Sequence, residues 1–374
     1  MLKDLDRLRN RIDALDEAIV RLLHERRQVV ARVARCKEAL GLPVYHPARE
    51  EDLISRRREQ ARACGLDPDM VEDVFRRVIR ASRVTQSEER SARGVRPGAR
   101  VLVVGGAGAM GSLVCRWFRA SGYEVRVLDR GDWDRAGELC EGIDLAVISV
   151  PIRATPDVVR RLGPFLPPSC VLADLTSLKV EPVRAMLNAH AGPVLGLHPM
   201  FGPSTRVLDK QIVVATPARE PEASRWVLDQ WAAWGAVVVR CTPEEHDRAM
   251  AVVQALRHFA TFLFGRFLWR RDVDLEETLE YSGPIYRLEL GMVGRLFAQD
   301  PELYADIVLA SEDRRALLVD FVRAAQETVR LVEEADREGF CREFRKVAEW
   351  FGPFSDQALR ESSYLIEKLV ERFG

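Results

Sequence analysis

The stretch VLVVGGAGAMG (Val101–Gly111) decides the fold of the central part of this 374-residue chain. A short β-branched run leads into three glycines at the spacing GxGxxG, Gly106, Gly108 and Gly111, and a helical run follows from Ser112. Glycines at these positions permit a tight turn and let the backbone approach a pyrophosphate at a helix N-terminus. The context predicts a dinucleotide-binding loop; a glycine-rich turn without a ligand is the alternative.

A second predicted strand ends at Asp129, about twenty residues beyond the glycine loop. A carboxylate at this place accepts hydrogen bonds from a ribose 2′-hydroxyl and repels a 2′-phosphate. The sequence therefore favours NAD over NADP, although Arg130 beside it would suit a phosphate.

Beyond Arg100, short β-branched runs alternate with helical stretches, which is typical of a parallel, doubly wound sheet. The predicted strands are 101–105, 124–128, 145–150, 171–175, 193–197, 211–215 and 236–240. From Pro243 onwards the strand signals vanish, and the sequence predicts a helical third segment.

The residues in front of the glycine loop predict three helices. The first, up to about Leu40, has apolar residues at a 3–4 spacing and is broken by GLP at 41–43. These apolar residues are Leu5, Leu8, Ile12, Leu15, Ile19, Leu22, Val29 and Val33. The second helix runs over 47–64, and the third begins at Pro68, with Asp67 as N-cap, and ends near Ser87. Residues 88–98 lack periodicity and predict a linker.

Composition excludes several classes of function. The net charge of −1 offers no basic field for nucleic acid or for a membrane surface. No apolar run reaches the roughly 18–20 residues that span a bilayer, and the charged N-terminal sequence predicts no signal peptide. The seven cysteines form no CxxC pair, which favours reduced thiols in the cytoplasm over disulfides or a metal site.

Two predicted strand ends carry polar side chains. LGLHPMFGP places His198 after an apolar strand, where ligands bind in such sheets. A histidine there can accept a proton from a substrate hydroxyl as a hydride leaves, and a histidine that caps a turn is the alternative. The second strand end, LADLTSLK, offers Asp174, Ser177 and Lys179.

Three cationic or titratable residues lie in the helical third segment. His258 stands in an apolar helix, where a satisfied core histidine is the more frequent case. Arg287 and Arg295 stand in an aliphatic helix, where an arginine is costly unless it is paired. A substrate carboxylate is one partner, and Glu289 or Asp300 is the alternative.

The first predicted helix carries cations on its apolar stripe. Arg26 falls on the stripe, and Lys37 lies on nearly the same face, so both need an anion. Arg9 lies roughly 25 Å from Arg26 along the helix, too far for both to hold one small ligand within a single chain. Two chains would have to share such a site. A coiled-coil dimer with surface ion pairs is the alternative, and spacing alone favours it.

These motifs together resemble known enzymes. Residues 1–87 resemble an AroQ-type chorismate mutase through LRNRIDALDE, HERRQVVARVARCK, PAREED and SRVTQ. Residues 100–374 resemble prephenate dehydrogenases through GGAGAMG, ISVPI, DLTSLK, LGLHPMFGP, QALRHFATF and YRLELGMVGRLFAQDP. In this order they resemble the bifunctional chorismate mutase/prephenate dehydrogenase (T-protein) family of tyrosine biosynthesis.

The resemblance implies a multidomain architecture. An all-α mutase domain (1–90) and a linker (91–99) precede an α/β Rossmann-like NAD domain (100–242) and an all-α substrate-binding and dimerisation domain (243–374). It also implies a cytoplasmic homodimer that uses NAD, acts on chorismate and prephenate, and responds to L-tyrosine as a feedback effector. No nucleic-acid, membrane or metal partner is expected.

For the mutase, the resemblance implies a pericyclic rearrangement without a nucleophile or base. Cations bind the two carboxylates of chorismate and fix its reactive chair conformer, and Lys37 and Gln86 donate hydrogen bonds to the ether oxygen. The implied substrate-binding residues are Arg9, Arg26, Lys37, Arg49, Glu50, Ser82 and Gln86. His46 stands where mutases linked to a prephenate dehydratase carry an acidic residue, so no role is assigned to it.

For the dehydrogenase, the resemblance implies that His198 accepts the proton of the C4 hydroxyl while the ring carboxylate leaves as carbon dioxide. Ser177 and Lys179 would lie beside the nicotinamide and the substrate hydroxyl. Arg295 would bind a prephenate carboxylate, with Arg287 as a second candidate and His258 near the substrate side chain and linked to tyrosine inhibition. The implied cofactor-binding residues are Gly106, Gly108, Met110, Gly111, Asp129, Val150 and Pro151.

Three rival functions stay open from the sequence. A dehydrogenase with an inactive N-terminal dimerisation bundle would have no use for Arg26 and Lys37 on the stripe. A cofactor-binding regulator without catalysis would have no use for His198. An arogenate-preferring dehydrogenase differs in whether its pocket meets an ammonium or a ketone.

Overall fold

The structure is a computed structural model that describes residues 2–40, 47–91, 94–205 and 207–373. It divides into two compact units, Met1–His246 and Asp247–Gly374. Among the described helices, none combines the length and the apolar character needed to cross a membrane.

Three helices form the N-terminal part of the first unit, as the sequence predicts. They are α1 (Leu2–Ala39), α2 (Pro47–Ala63) and α3 (Pro68–Ser91). The prediction of a linker from residue 88 is wrong for its first residues, because α3 continues to Ser91. Glu and Arg are good helix formers, and the first glycine after them is Gly94.

The apolar stripe of α1 faces outward. Val30 and Ala34 are buried, but the stripe that the 3–4 spacing predicts is exposed. Its exposed members are Leu5, Leu8, Ile12, Leu15, Ile19, Leu22, Val29 and Val33. A contiguous exposed apolar surface of this kind marks an interaction surface.

A seven-stranded sheet forms the centre of the first unit. The strands are β1 (Arg100–Val104), β2 (Glu124–Leu128), β3 (Leu145–Ile148), β4 (Val171–Asp174), β5 (Val194–Pro199), β6 (Ile212–Arg219) and β7 (Val237–Arg240). Their order across the sheet is β2-β1-β3-β4-β5-β6-β7. The order reverses between β1 and β3, and ligands bind outside the carboxyl ends of the strands at such a switch point.

The prediction of a parallel sheet is wrong for one pair. Strands β5 and β6 run antiparallel, whereas all the other neighbours are parallel. A parallel neighbour needs a crossover, usually a helix, that returns the chain to the starting edge. No helix is found among the described residues between Pro199 and Ile212, so the chain turns back at the edge where β5 ends.

Helices cover both faces of the sheet, which confirms the doubly wound architecture. These helices are α4 (Ala109–Ala120), α5 (Ala136–Cys140), α6 (Thr155–Leu162), α7 (Val180–Ala189) and α8 (Pro221–Ala233). Successive residues of a strand point to opposite faces. Val103 accordingly packs in the core beneath α4 and α8, and Val104 packs in the core beneath α5, α6 and α7.

Within the first unit, an arginine joins the helical bundle to the sheet region. Arg83 of α3 is buried and forms ion pairs with Glu50 of α2 at 2.9 Å and with Asp209 at 3.1 Å. Asp209 lies in the connection between β5 and β6. After the helix, the backbone N–H of Val95 donates to Gln230 of α8 at 2.9 Å, so the chain that links the two regions is also held.

The second unit is helical throughout its described residues, as predicted from Pro243 onwards. Helix α9 (Pro243–Met250) ends the first unit and begins the second, and a π-helical turn (Ala251–Leu256) follows it. The later helices are α10 (Arg257–Arg270), α11 (Leu275–Glu280), α12 (Pro284–Phe297), α13 (Pro301–Val308), α14 (Glu312–Glu333), α15 (Arg337–Phe351) and α16 (Pro353–Phe373).

Replacing Phe118 by alanine tests the core beneath α4. Phe118 is buried, and its ring packs on those of Tyr123 and Trp234 with centroids 5.4 and 4.8 Å away. We expect Phe118→Ala to lower the free energy of unfolding by about 3–5 kcal/mol, as large-to-small core substitutions do. Urea unfolding followed by tryptophan fluorescence measures this. The control is Phe165→Ala, whose ring is 45% exposed; equal midpoints for the two variants would contradict the packing argument.

Candidate active sites

The glycines in the loop between β1 and α4 allow other backbone atoms to lie very close to the loop. Gly105 has a φ of +83°, and a Cβ there would lie 2.3 Å from the carbonyl oxygen of Ser149. A Cβ on Gly111 would lie 2.2 Å from the carbonyl oxygen of Gly105. Helix α4 begins at Ala109 without a side-chain cap, so its first turn offers backbone N–H groups to an anion.

A cleft of about 250 Å³ opens at the switch point between β1 and β3. Four of the predicted cofactor residues line it: Gly108, Asp129, Val150 and Pro151. The other three, Gly106, Met110 and Gly111, do not line it; Gly106 passes close to Val127, and Met110 packs against the core.

Gly105 lines the cleft and was missed by the sequence analysis. It stands one residue before the GxGxxG motif, so the motif does not include it. The pair of consecutive glycines, Gly105 and Gly106, is the sequence feature that could have identified it. Asp129 also does more than face the cleft, because it accepts a hydrogen bond from the backbone N–H of Ala107 at 3.1 Å. This carboxylate therefore also holds the loop in place.

His198 lies at the carboxyl end of β5 and is buried, with 3% of its surface exposed. Its Nδ1 lies 2.8 Å from Nε2 of His246, which is also buried. The two rings meet edge to face, with centroids 5.0 Å apart. His246 was not predicted, because it lies 48 residues away in a charged helix and nothing local in the sequence distinguishes it.

The turn after β4 contains a buried ion pair. The side chains of Lys179 and Asp174 are both completely buried, and the ammonium of Lys179 donates to Asp174. The backbone N–H of Thr176 donates to the same carboxylate at 3.0 Å. The side chain of Lys179 thus holds the turn from within, and its place beside the nicotinamide and the substrate hydroxyl stays a prediction. Ser177, half-buried in this turn, stays at the carboxyl edge of the sheet.

Two of the predicted mutase residues come together between α1 and α3. The guanidinium of Arg26 donates to the hydroxyl of Ser82, which itself donates to the carbonyl of Val78 at 2.7 Å. Burial lowers the pKa of Arg26 from its usual value. Lys37 is half-buried on α1, so the bundle carries two partly desolvated cations.

The remaining mutase residues are more dispersed. Glu50 is held by Arg83, and Arg49 is exposed and paired with Asp52 at 2.9 Å. Arg9 is exposed and lies 3.7 Å from Asp6. The side chain of Gln86 and the whole of His46 lie outside the described residues.

In the second unit, His258 is buried and its ring meets that of Tyr304 edge to face at 4.7 Å. Burial, and then the charge of Arg257, lower the pKa of His258 from 6.5 to about 4. The ring is therefore neutral at neutral pH.

The two arginines of α12 behave differently. Arg287 is exposed and donates to the carbonyl of Leu279. Arg295 is exposed, and among the described residues of 247–373 it forms no ion pair with Glu289 or Asp300. Asp300 instead caps α13 by accepting the backbone N–H of Glu302 at 3.0 Å. Neither of the two internal carboxylates considered as partners for Arg295 therefore forms an ion pair with it.

The chain matches three family profiles in order. Chorismate mutase type II matches residues 8–87, the nucleotide-binding domain of prephenate dehydrogenase matches 119–240, and its dimerization domain matches 242–346. The T-protein of Enterobacter agglomerans is 46% identical over 98% of both chains. The chain belongs to the T-protein family. It is thus a bifunctional chorismate mutase and prephenate dehydrogenase.

Further similarities agree with this membership. The T-protein of Haemophilus influenzae is 42% identical and is matched over 98% of this chain and 97% of its own length. Among solved structures, prephenate dehydrogenase from Aquifex aeolicus, in complex with hydroxyphenyl propionate and NAD+, superposes with a TM-score of 0.55 at 21% identity. That match covers 69% of this chain and 99% of the other, and it confirms the fold of the dehydrogenase part.

Replacing Gly105 by alanine tests the geometry of the glycine loop. A methyl group would meet the Ser149 carbonyl, and the φ of +83° is strained for any residue with a Cβ. We expect Gly105→Ala to raise the Kd for NAD at least tenfold, about 1.4 kcal/mol, in a fluorescence titration. The matched control is Gly131→Ala, where a Cβ would meet nothing within 4 Å. Unchanged NAD binding by Gly105→Ala would overturn the proposed geometry of the loop.

The lowered pKa of His258 predicts a pH-dependent stability. The unfolded chain protonates this ring near pH 6.5 and the folded chain near 4, so stability is full above pH 6.5 and is lost as the pH falls towards 4. We expect the free energy of unfolding to drop between pH 7.5 and 5 by about 2 kcal/mol more in the natural protein than in His258→Asn. Urea unfolding at the two pH values measures this difference. An equal drop in the free energy of unfolding in both proteins would show that the ring is not desolvated.

Proposed function

We propose that the dehydrogenase site of this protein is built around His198 and its mutase site around Arg26. The mutase rearranges chorismate to prephenate, and the dehydrogenase oxidatively decarboxylates prephenate to 4-hydroxyphenylpyruvate with NAD. The observation that carries the first assignment is that His198 is the penultimate residue of β5, a strand parallel to β4. His198 therefore lies at the sheet edge that also carries the glycine loop.

In the mutase, the protein acts by binding and orientation. Arg26 and Lys37 bind the carboxylates of chorismate and hold the chair conformer in which the two reacting carbons meet. Lys37 and Gln86 donate to the ether oxygen as negative charge develops there. The hydrogen bond from Arg26 to Ser82 supports this assignment, because it fixes the guanidinium across two helices before the substrate arrives.

The mutase site is completed by a second copy of the chain. Arg9 lies 17 residues from Arg26 on one helix, roughly 25 Å at 1.5 Å per residue. The exposed apolar stripe on the same helix gives two copies a surface on which to pair. In the homodimer, Arg9 of one protomer joins the Arg26 of its partner in one site. Arg49 and Glu50 lie at the start of α2 and bind the same substrate.

In the dehydrogenase, His198 accepts the proton of the C4 hydroxyl group of prephenate. NAD, when bound, supplies the acceptor for the hydride that leaves C4. The ring carboxylate departs as carbon dioxide, and the ring becomes aromatic, which drives the step. Ser177 donates a hydrogen bond towards the substrate hydroxyl, and Lys179 positions the turn that carries Ser177 through its buried contact with Asp174.

The second unit contributes groups that recognise the substrate. Arg295 binds a carboxylate of prephenate, and its lack of the two internal partners considered supports this role. Arg287 is the second candidate. His258, which is neutral at working pH, lies near the substrate side chain and takes part in inhibition by L-tyrosine.

Two further assignments concern the cofactor and the compartment. Asp129 lines the cleft, and its negative charge favours NAD over NADP. All seven cysteines are free thiols, and a reducing cytoplasm suits them.

Paired substitutions separate the two activities. His198→Asn removes the proposed base, so we expect dehydrogenation to fall at least 100-fold while chorismate disappearance is unchanged. Lys37→Ala should instead lower the rate of chorismate disappearance and leave dehydrogenation unchanged. NADH formation from prephenate and chorismate loss are followed on the same samples. Equal loss of both activities in either variant would assign that residue to the fold instead.

The assays on the natural protein decide among the rival functions. Chorismate loss without cofactor separates the bifunctional enzyme from a dehydrogenase with an inactive bundle. Prephenate and arogenate, each with NAD and NADP, then define the substrate and cofactor. We expect prephenate and NAD to give the highest kcat/KM, and a preference for NADP would overturn the role of Asp129.

A further inference from the structure

His198 and His246 form a hydrogen-bonded pair of buried imidazoles. Nδ1 of His198 lies 2.8 Å from Nε2 of His246, and 3% and 1% of their surfaces are exposed. One nitrogen must carry the proton and the other must accept it. The pair therefore admits two arrangements, and they differ in what His198 can do at its other nitrogen.

The first arrangement places the shared proton on Nδ1 of His198. Its Nε2 then carries a lone pair and can accept the proton of the substrate hydroxyl. In the second arrangement His246 donates, Nδ1 of His198 accepts, and Nε2 of His198 already carries a proton. A base in that tautomer is inactive, so the direction of this hydrogen bond decides whether His198 can act.

We propose that His246 is a positioning residue for dehydrogenation: it accepts the Nδ1–H of His198 and holds that ring in the tautomer that can act as a base. The inference rests on the proposed role of His198 as the base. When His198 takes the substrate proton, its Nδ1–H bond to His246 becomes charge-assisted and stronger, which stabilises the imidazolium in a buried site.

The start of α9 fixes His246 for this task. Thr242 and Glu245 form a reciprocal cap, in which the N–H of Thr242 donates to Glu245 at 2.8 Å and the N–H of Glu245 donates to Thr242 at 3.1 Å. The N–H of His246 donates to the carbonyl of Thr242 at 3.0 Å. His246 thus lies in the first turn of the helix, which the reciprocal cap holds in place.

Two substitutions of His246 separate positioning from structure. His246→Gln keeps an acceptor oxygen near the place of Nε2, whereas His246→Leu fills the space without one. We expect His246→Leu to lower kcat for dehydrogenation about 100-fold, with the KM for prephenate within twofold and the mutase rate unchanged. The kcat of His246→Gln should be at least tenfold higher than that of His246→Leu.

A matched control is available in the same sheet region. His190 is also buried, and its Nε2 lies 2.7 Å from the carbonyl oxygen of Cys170. His190→Leu removes a buried histidine contact of the same kind without touching His198. We expect it to lower the thermal midpoint while leaving kcat within threefold, so a selective loss of kcat identifies the His246 effect.

The tautomer is also measured directly in the unsubstituted protein. With six histidines in the chain, nitrogen-15 NMR of labelled imidazoles, assigned through His198→Asn and His246→Gln, reports which nitrogen of His198 carries the proton. A proton on Nδ1 supports the proposal. A proton on Nε2 overturns it, as does a His246→Leu enzyme with the natural kcat, or a His246→Gln enzyme as slow as His246→Leu.

These outcomes are distinct from failure of the proposed function. If His198→Asn retains full dehydrogenation, His198 is not the base and both assignments fall. If His198→Asn is inactive and His246→Leu is fully active, the base stands and the positioning role of His246 is wrong.

Discussion

The functional geometry of this protein depends on the direction of its strands. Because β1, β3, β4 and β5 run parallel, their carboxyl ends meet at one edge of the sheet. The glycine loop, the turn with Ser177 and the ring of His198 follow these ends. The helical crossovers between these parallel strands thus bring residues from almost a hundred positions of sequence to the same edge. The antiparallel return at β6 closes this arrangement, because the chain leaves the edge directly after His198.

Buried polar contacts hold specific side chains at that edge. An ion pair with no exposed surface, Lys179 with Asp174, is costly to form and strongly destabilising to break. Its geometry selects one conformation of the turn. The backbone N–H of Thr176 reinforces it. The pair of His198 and His246 adds a second buried polar contact, so both groups beside the proposed reaction are held by partners rather than left to rotate.

The two enzymes of the chain are joined more closely than a flexible linker implies. Helix α3, which carries Ser82 at the proposed mutase site, continues beyond the predicted boundary, and Arg83 beside it is paired both with Glu50 and with Asp209. Asp209 lies in the connection that follows His198. The linker prediction was wrong for residues 88–91 because charged residues without apolar periodicity can still form helix when their intrinsic propensity is high. Propensity, and not pattern, determined the last turn of α3.

The sequence by itself determined the elements, the domain order, the glycine loop and the strand end at His198. Each of these depends on local spacing: period 3–4 in the front helices, β-branched runs in the strands, and fixed glycine positions in the turn. Tertiary structure decided which side chains meet. Nothing local marks His246 as the neighbour of His198, shows that Lys179 is enclosed, or distinguishes Gly105 from the glycines of the fingerprint. Such contacts join residues that are distant along the chain, or depend on where a neighbouring strand lies. A local sequence pattern therefore does not predict them.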